Sequence, residues 1–386
     1  MKHDTLLGRF ETTLRGLERK ARLRSLAPRE GLDFASNDYI GLAGSPRMAQ
    51  AVCRALEQGT PVGAGGSRLL RGNTPEHEAL EEAAARFFRA EKVLLFGGGF
   101  IANYAVLTTL PQKGDLLVMD AKIHASAHEG ARAGRAQVME AAHNDVNAFE
   151  ACIREWRATG GTGRIWMTVE SVYSMDGDIA PLEELAALAD QHDAFLFIDE
   201  AHATGIYGPQ GRGLAAAFEG RENVLVLHTC GKALGSSGAL VAGAKVLCDF
   251  MVNRARPFIF ATAPSPLVAV ATQEALAILQ DEPERRDNLA RLVAFAGQEL
   301  KRTGLAAKGV KASGTQIQPV IVGDNARAMA LAAALQARGF DVRGVRPPTV
   351  PEGTARLRIS LTLNVDEAAV TRLFDALAEE WERGGP

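Results

Sequence analysis

The chain has 386 residues, 47% of them hydrophobic and 23% charged, with a formal net charge of −3. That near-neutral balance excludes the electrostatic footprint of a nucleic-acid or acidic-membrane binder, and the length suits a large α/β unit with a smaller appended domain. Four scattered cysteines (Cys53, Cys152, Cys230, Cys248) with no C-x-x-C pair point to reduced thiols in the cytosol rather than a disulfide frame.

In chain order, apolar residues at helical spacing predict an amphipathic helix over residues 3–24, with Arg15, Arg19, Lys20, Arg22 and Arg24 on a solvated face. This start has no unbroken apolar core, so no signal peptide is expected, and no later run is long enough to span a bilayer. "FASNDYIGLAG" (34–44) reads as a short strand ending in a turn, followed by a helix over 46–58 and a glycine-rich loop. Thr74-Pro75, with Glu76 and Glu78 in the first turn, opens a helix to about residue 89.

Strand-like runs then recur at 92–96, 115–120, 164–171, 194–199, 224–229 and 239–244, with helical patterns at 100–110, 145–158 and 181–192. Continuous apolar strands separated by helices imply an α/β fold with a mainly parallel sheet covered on both faces. After about residue 270, long helices and runs at 316–322, 340–345 and 355–360 indicate a second, smaller α/β domain. The expected division is an N-terminal helix and arm (1–45), a large domain (46–270) and a small C-terminal domain (271–386).

In such sheets ligands sit at the carboxyl ends of the strands. "FGGGFIANYAVL" runs three glycines into a helix, which either opens a helix N-terminus to an anion or makes a tight turn. His124 and His128, four apart, could share a helix face, but no acid or cysteine stands at a matching ligand spacing and no metal is expected. Asp199 ends an apolar strand, with His202 three residues on, and a buried carboxylate there needs a cation or strong donors. "DEAH" also occurs in nucleotide hydrolases, but the phosphate loop G-x-x-x-x-G-K-[ST] is missing. Thr229 ends the next strand and Lys232 follows, set among small residues. An aldehyde cofactor with a phosphate and a basic ring nitrogen needs this set: a lysine for a Schiff base, a carboxylate for the ring nitrogen, and a helix start with hydroxyls for the phosphate.

The segments "SNDYIGL", "GGSRLLRGN" with "EHEALE", "GGGFIAN", "HND", "ESVYSMDGDIAPL", "DEAHATGIYGPQGRG", "GKALG" and "RPPTVPEGTARLRIS" follow one another from about residue 34 to 360. Through this ordered set the chain resembles the α-oxoamine synthases, pyridoxal 5'-phosphate (PLP) enzymes of fold type I. The resemblance implies a mainly parallel seven-stranded sheet in the large PLP-binding domain and an acyltransferase that condenses an amino acid with an acyl-CoA or acyl-carrier-protein thioester, releasing CO2 and thiol. The pattern is most similar to the members that join L-alanine to a pimeloyl thioester in biotin biosynthesis. Other condensations of the family, an aminotransferase, or a noncatalytic binding protein are the alternatives.

By resemblance, Lys232 carries the cofactor, Asp199 faces the pyridine nitrogen, His202 bonds the ring hydroxyl and His124 stacks on the ring. Ser174 lines the pocket, and Gly99, Phe100 and Thr229 flank the phosphate. Thr262 reaches the phosphate of the other subunit, which implies a homodimer with shared sites. Asn37 and Arg358 hold the amino-acid carboxylate, and Thr349 lies near the acyl substrate. The N-terminal substrate arginine maps to Arg24 or Arg22. Two departures stand out: Gly97 and Gly98 replace frequent serines, and Cys230 precedes the Gly231-Lys232 pair.

Overall fold

The computed structural model describes residues 6–383. The chain forms two compact units: a larger one of residues 38–174 and 178–287, and a smaller one that joins the N-terminal residues up to Asn37 with Met175–Gly177 and everything from Asn288 onward. The N-terminal segment therefore groups with the C-terminal residues.

The strands in chain order are β1 (Leu32–Asp33), β2 (Lys92–Phe96), β3 (Leu116–Asp120), β4 (Gln137–Ala141), β5 (Ile165–Glu170), β6 (Ala194–Asp199), β7 (Val224–Thr229), β8 (Ala239–Gly243), β9 (Ile317–Gly323), β10 (Phe340–Asp341), β11 (Arg343–Val345) and β12 (Ala355–Ser360). In the larger unit seven of them form one sheet in the order β2-β8-β7-β6-β5-β3-β4. Only β8 runs antiparallel to its neighbours, so the mainly parallel seven-stranded sheet implied by the resemblance is present.

Both faces of this sheet are covered, which explains why its strands lack a polar side. Ile165, Met167, Leu196, Ile198, Val224 and Val226 pack into one core with Phe149 and Leu185. The alternate residues Trp166, Phe197, Leu225 and Leu227 pack into the opposite core with Val106 and Met251. Successive side chains of a strand point to opposite faces, so one apolar run serves two cores.

The smaller unit has an antiparallel sheet, β11-β12-β9, and a parallel pair of β1 with β10. Its core gathers Phe34, Leu292, Leu335, Leu357, Ile359 and Phe374. All six residues of β12 are buried, including Arg356, whose guanidinium pairs with Asp176 and donates to the Met175 carbonyl at 3.2 Å.

Several expectations change. The predicted helix over 3–24 is Gly8–Arg19, its first predicted residues lying outside those described; Ala21, at φ 52°, takes the chain out of helical geometry. "FASNDYIGLAG" is turns, with only Leu32–Asp33 before it paired as a strand. Side-chain bonds stand in for a ladder there: Asp38 Oδ1 accepts the N–H of Leu42 at 2.8 Å and of Ala43 at 3.1 Å. The segment 340–345 splits into two short strands. Strand β4 was not expected; it is an edge strand exposed at most positions and carries no apolar run. No helix among the described residues is long and apolar enough to cross a membrane.

Candidate active site

The chemistry-bearing side chains of the larger unit stand where the strands of its sheet end. Asp199 closes β6 at 4% exposure. Its Oδ2 accepts a hydrogen bond from Asn103 Nδ2 at 2.7 Å, and its Oδ1 accepts the Ala201 N–H at 2.9 Å. Asn103 lies on the buried face of the helix Gly99–Thr109 and also donates to Ser126 Oγ at 3.0 Å. Ser126 Oγ in turn lies 2.7 Å from His124 Nδ1, which also takes the Ser126 N–H at 3.3 Å.

Donor accounting then fixes the ring. His124 Nδ1 accepts the Ser126 N–H, so it carries no proton of its own and the Ser126 hydroxyl donates to it as well, leaving the His124 proton on Nε2. Burial pushes the His124 pKa down, Asp199 opposes this, and the charges of Lys232 and His128 push it further down. His124 does not share a helix face with His128: it is the N-cap of the helix Ala125–Ala133. Among the described residues no group of His, Cys, Asp or Glu could hold a metal ion.

Lys232 sits in the turn between β7 and β8, closed by the Gly235 N–H on the Lys232 carbonyl at 2.8 Å. Gly235 has φ 59°, and a Cβ there would stand 2.4 Å from the Ala43 nitrogen, so only glycine builds this turn. Lys232 Nζ lies 2.7 Å from His202 Nε2, and His202 Nδ1 lies 2.7 Å from the Tyr39 hydroxyl. With Lys232 protonated, Nε2 accepts and Nδ1 donates to Tyr39, so the ring is held at both nitrogens.

The three glycines after β2 form the mouth of a cradle. Gly98, in extended backbone, precedes the first helical residue, Gly99. A Cβ on Gly99 would meet Thr229 Oγ1 at 2.7 Å, whereas Cβ atoms on Gly97 or Gly98 would meet nothing within 4 Å. The Thr229 hydroxyl therefore lies against a helix start whose approach is open, the arrangement that receives an anion. Phe100 is 48% exposed and stands edge-on to the His124 ring at 6.5 Å between centroids. Ser174 is 8% exposed, and its N–H donates to Glu170 at 3.1 Å.

These groups fit PLP by their chemistry. They supply an amine for the aldehyde, a buried carboxylate short of a cation for the ring nitrogen, a neutral ring beside it, and a helix start with a hydroxyl for the phosphate. Thr262 is set apart: it is exposed, bridges to Ser67, and lines a cavity of ≈ 210 Å³ with Gly97 and Ile101.

Arg24, Asn37, Thr349 and Arg358 belong to the smaller unit. There Arg24 donates to Thr349 Oγ1 at 3.3 Å, Arg22 is engaged by Glu352, and the buried Arg358 donates to Ser360 Oγ at 2.7 Å. The sequence reading missed Asn103, Ser126, Tyr39 and Glu170 as individuals. Three of them lay in quoted segments, and the usable signal was a polar residue on an otherwise apolar helix face, as at Asn103.

The family model "Aminotransferase class I and II" matches residues 29–377. An 8-amino-7-oxononanoate synthase of Chromobacterium violaceum is 42% identical over 90% of this chain and 89% of its own length. One of Anaeromyxobacter dehalogenans is 41% identical over 95% and 93%. Among solved structures, a lysine-to-alanine variant of a serine palmitoyltransferase of S. paucimobilis with a bound PLP–myriocin aldimine superposes with a TM-score of 0.88 at 25% identity, covering 100% of both chains. The 8-amino-7-oxononanoate synthase of Francisella tularensis gives 0.75 at 25% identity, covering 92% of this chain and 98% of that one.

Proposed function

The chain belongs to the class I and II aminotransferase family and is a PLP-dependent acyltransferase, and from that premise we propose that it condenses L-alanine with a pimeloyl thioester. The products are 8-amino-7-oxononanoate, CO2 and the free thiol, in biotin biosynthesis, with CoA or an acyl-carrier protein as thiol carrier. The observation that carries this reading is the 41–42% identity, over about nine-tenths of each chain, to proteins named 8-amino-7-oxononanoate synthase. A serine palmitoyltransferase-like choice of substrates is the second reading, favoured by the TM-score of 0.88.

When bound, the cofactor supplies an electron sink for the bond broken at the amino acid's Cα. Lys232 Nζ would hold the cofactor's aldehyde and would serve as the base that takes the amino acid's Cα proton and later returns one. His202, anchored by Tyr39, keeps Nζ in place and reaches the ring hydroxyl. Asp199 holds a proton on the ring nitrogen, its geometry set by Asn103 and Ala201. His124, neutral, stacks without adding a competing positive charge, and Ser174 lines the pocket. The Gly99 and Phe100 N–H groups and the Thr229 hydroxyl take the phosphate, joined by Thr262 of a second copy in a homodimer. Asn37 and Arg358 take the amino-acid carboxylate. Arg24 with Thr349 meets the acyl substrate, a choice over Arg22 supported by the engagement of Arg22 with Glu352. Free thiols at all four cysteines suit a reducing cytosol.

The test is thiol release from pimeloyl-CoA by PLP-loaded protein, with L-alanine, glycine and L-serine in parallel. Release with alanine alone is expected. Release only with glycine or serine, or only with a different acyl chain, removes the pathway assignment and leaves the family.

A further inference from the structure

Of the buried acids of the larger unit that the mechanism above leaves unused (Asp115, Asp120, Glu170 and Glu200), Glu170 is the one bonded to the turns of Ser174 and His124. Glu170 is the last residue of β5, is 2% exposed, and stands in register with Asp199 at the end of the neighbouring strand β6. Its Oε2 accepts the Ser174 N–H at 3.1 Å, and the main-chain N–H of His124 also donates to the carboxyl. Its Oε1 is buried and has no hydrogen-bond partner among the described residues. Two turns bearing residues assigned to the cofactor pocket thus converge on one carboxyl group, and that group has one oxygen to spare.

Two ionised carboxylates cannot sit side by side in a dry pocket without a cation for each. The charged or titratable groups facing Glu170 are Asp199 from β6, Lys232 from the turn after β7, and Tyr173 from its own following turn. Lys232 is the one cation of that set. The Ser174 N–H serves Oε2 of the Glu170 carboxyl, while the unpartnered Oε1 is where a proton can reside.

We propose that Glu170 is a positioning residue that works in its neutral, protonated form, holding the Ser174 and His124 turns while leaving Asp199 the only carboxylate beside Lys232. The consequence is electrostatic. A second negative charge would make Lys232 hold its proton more tightly and leave less of it as the free amine that can take a proton; a neutral acid holds the same turns without that cost. Burial, and then the charge of Asp199, raise the Glu170 pKa to about 8 against the pull of Lys232 and the two N–H groups. The inference goes beyond the reaction proposed above and does not depend on which amino acid or thioester is used.

Three variants of the PLP-loaded protein test it: wild type, Glu170→Gln and Glu170→Ala. Gln keeps the shape and the acceptor oxygen but cannot ionise; Ala leaves two buried N–H groups without an acceptor. Glu170→Gln is expected to bind PLP within about three-fold of wild type and Glu170→Ala at least about ten-fold more weakly. Burial also pushes Glu200 up to about 8, so infrared difference spectra between about pH 6 and about pH 9.5 should show a protonated-carboxyl C=O band that is larger in wild type than in Glu170→Gln, the difference being the Glu170 share. Because the folded-state pKa is raised above the unfolded value, this carboxyl costs stability progressively as pH rises from about 4.5 to about 8. The melting-temperature advantage of Glu170→Gln over wild type should therefore grow across that window and then level off. A Gln variant as defective in PLP binding as the Ala variant, or an acid band equally large in wild type and Glu170→Gln, overturns the proposal.

Discussion

Two clusters of ionisable side chains stand at strand ends of one sheet and are finished in opposite ways. At the end of β3, Asp120 is fully buried and saturated: Oδ1 accepts the Lys122 N–H and His143 Nδ1, each at 2.8 Å, and Oδ2 accepts the Asn144 N–H at 2.8 Å. His143 is clamped from the other side by Asp178 at 2.6 Å. Burial alone would lower the His143 pKa, but the hydrogen bonds and charges of the two carboxylates raise it to about 9. Here each charge meets its opposite. At the end of β6, the donors to Asp199 among the described residues are neutral, and the amine of Lys232 is held by a histidine. The first cluster is electrostatically closed, as a part of the fold would be; the second holds the carboxylate and the amine proposed to meet the cofactor.

Substitutions can break that contrast, and the largest effect should come from the open cluster. Lys232→Ala is expected to abolish turnover while retaining PLP noncovalently, visible as loss of the protein-linked absorption band with cofactor still co-eluting; normal activity would remove Lys232 from the chemistry. Asp199→Asn should lower kcat by about 10³-fold or more, since one charge-assisted contact supports the ring-nitrogen proton; steady-state rates measure it.

In the closed cluster the same kind of change should strike stability instead. His143→Ala leaves Asp120 and Asp178 without their shared cation, with an expected loss of about 3 kcal/mol in urea unfolding and little change in kcat. The folded pKa of His143 is raised, so its contribution is fully present below the unfolded value near 6.5 and fades as pH rises through about 9. The gap between wild type and variant should shrink over that interval. If His143→Ala instead abolished activity with stability intact, the division of labour would be wrong. The smallest effect is expected in the smaller unit: Arg24→Ala should raise KM for the thioester about ten-fold, worth about 1.4 kcal/mol, while Arg22→Ala changes it less than about three-fold.

Much of this protein is legible in the order of its residues. The continuous apolar runs ending at Asp199 and Thr229 coincide with β6 and β7, because a strand buried on both faces needs apolar residues at every position. Lys232, His202 and Asp199 could be picked out because expensive or reactive groups directly after such strands need a reason to be there. The ordered motifs identified the family, as the comparisons bear out. Strand β4 could not be read: Gln137–Ala141 owes its conformation to pairing with β3 along one edge, which leaves no apolar run. "FASNDYIGLAG" failed for the complementary reason, its apolar residues Phe34, Tyr39, Ile40 and Leu42 being buried from a looped backbone held by Asp38.

Sequence by itself determined which residues are proposed to carry the chemistry, since residue type and strand-end position are local properties. Only the tertiary structure decided what each of them touches. Asn103 meets Asp199 from 96 positions away, Tyr39 meets His202 from 163, and Glu170 stands beside Asp199 because β5 pairs with β6 in that register. Protonation states, tautomers and the difference between a closed and an open cluster follow from those long-range contacts, because burial and neighbouring charge, rather than residue identity, set where a proton resides.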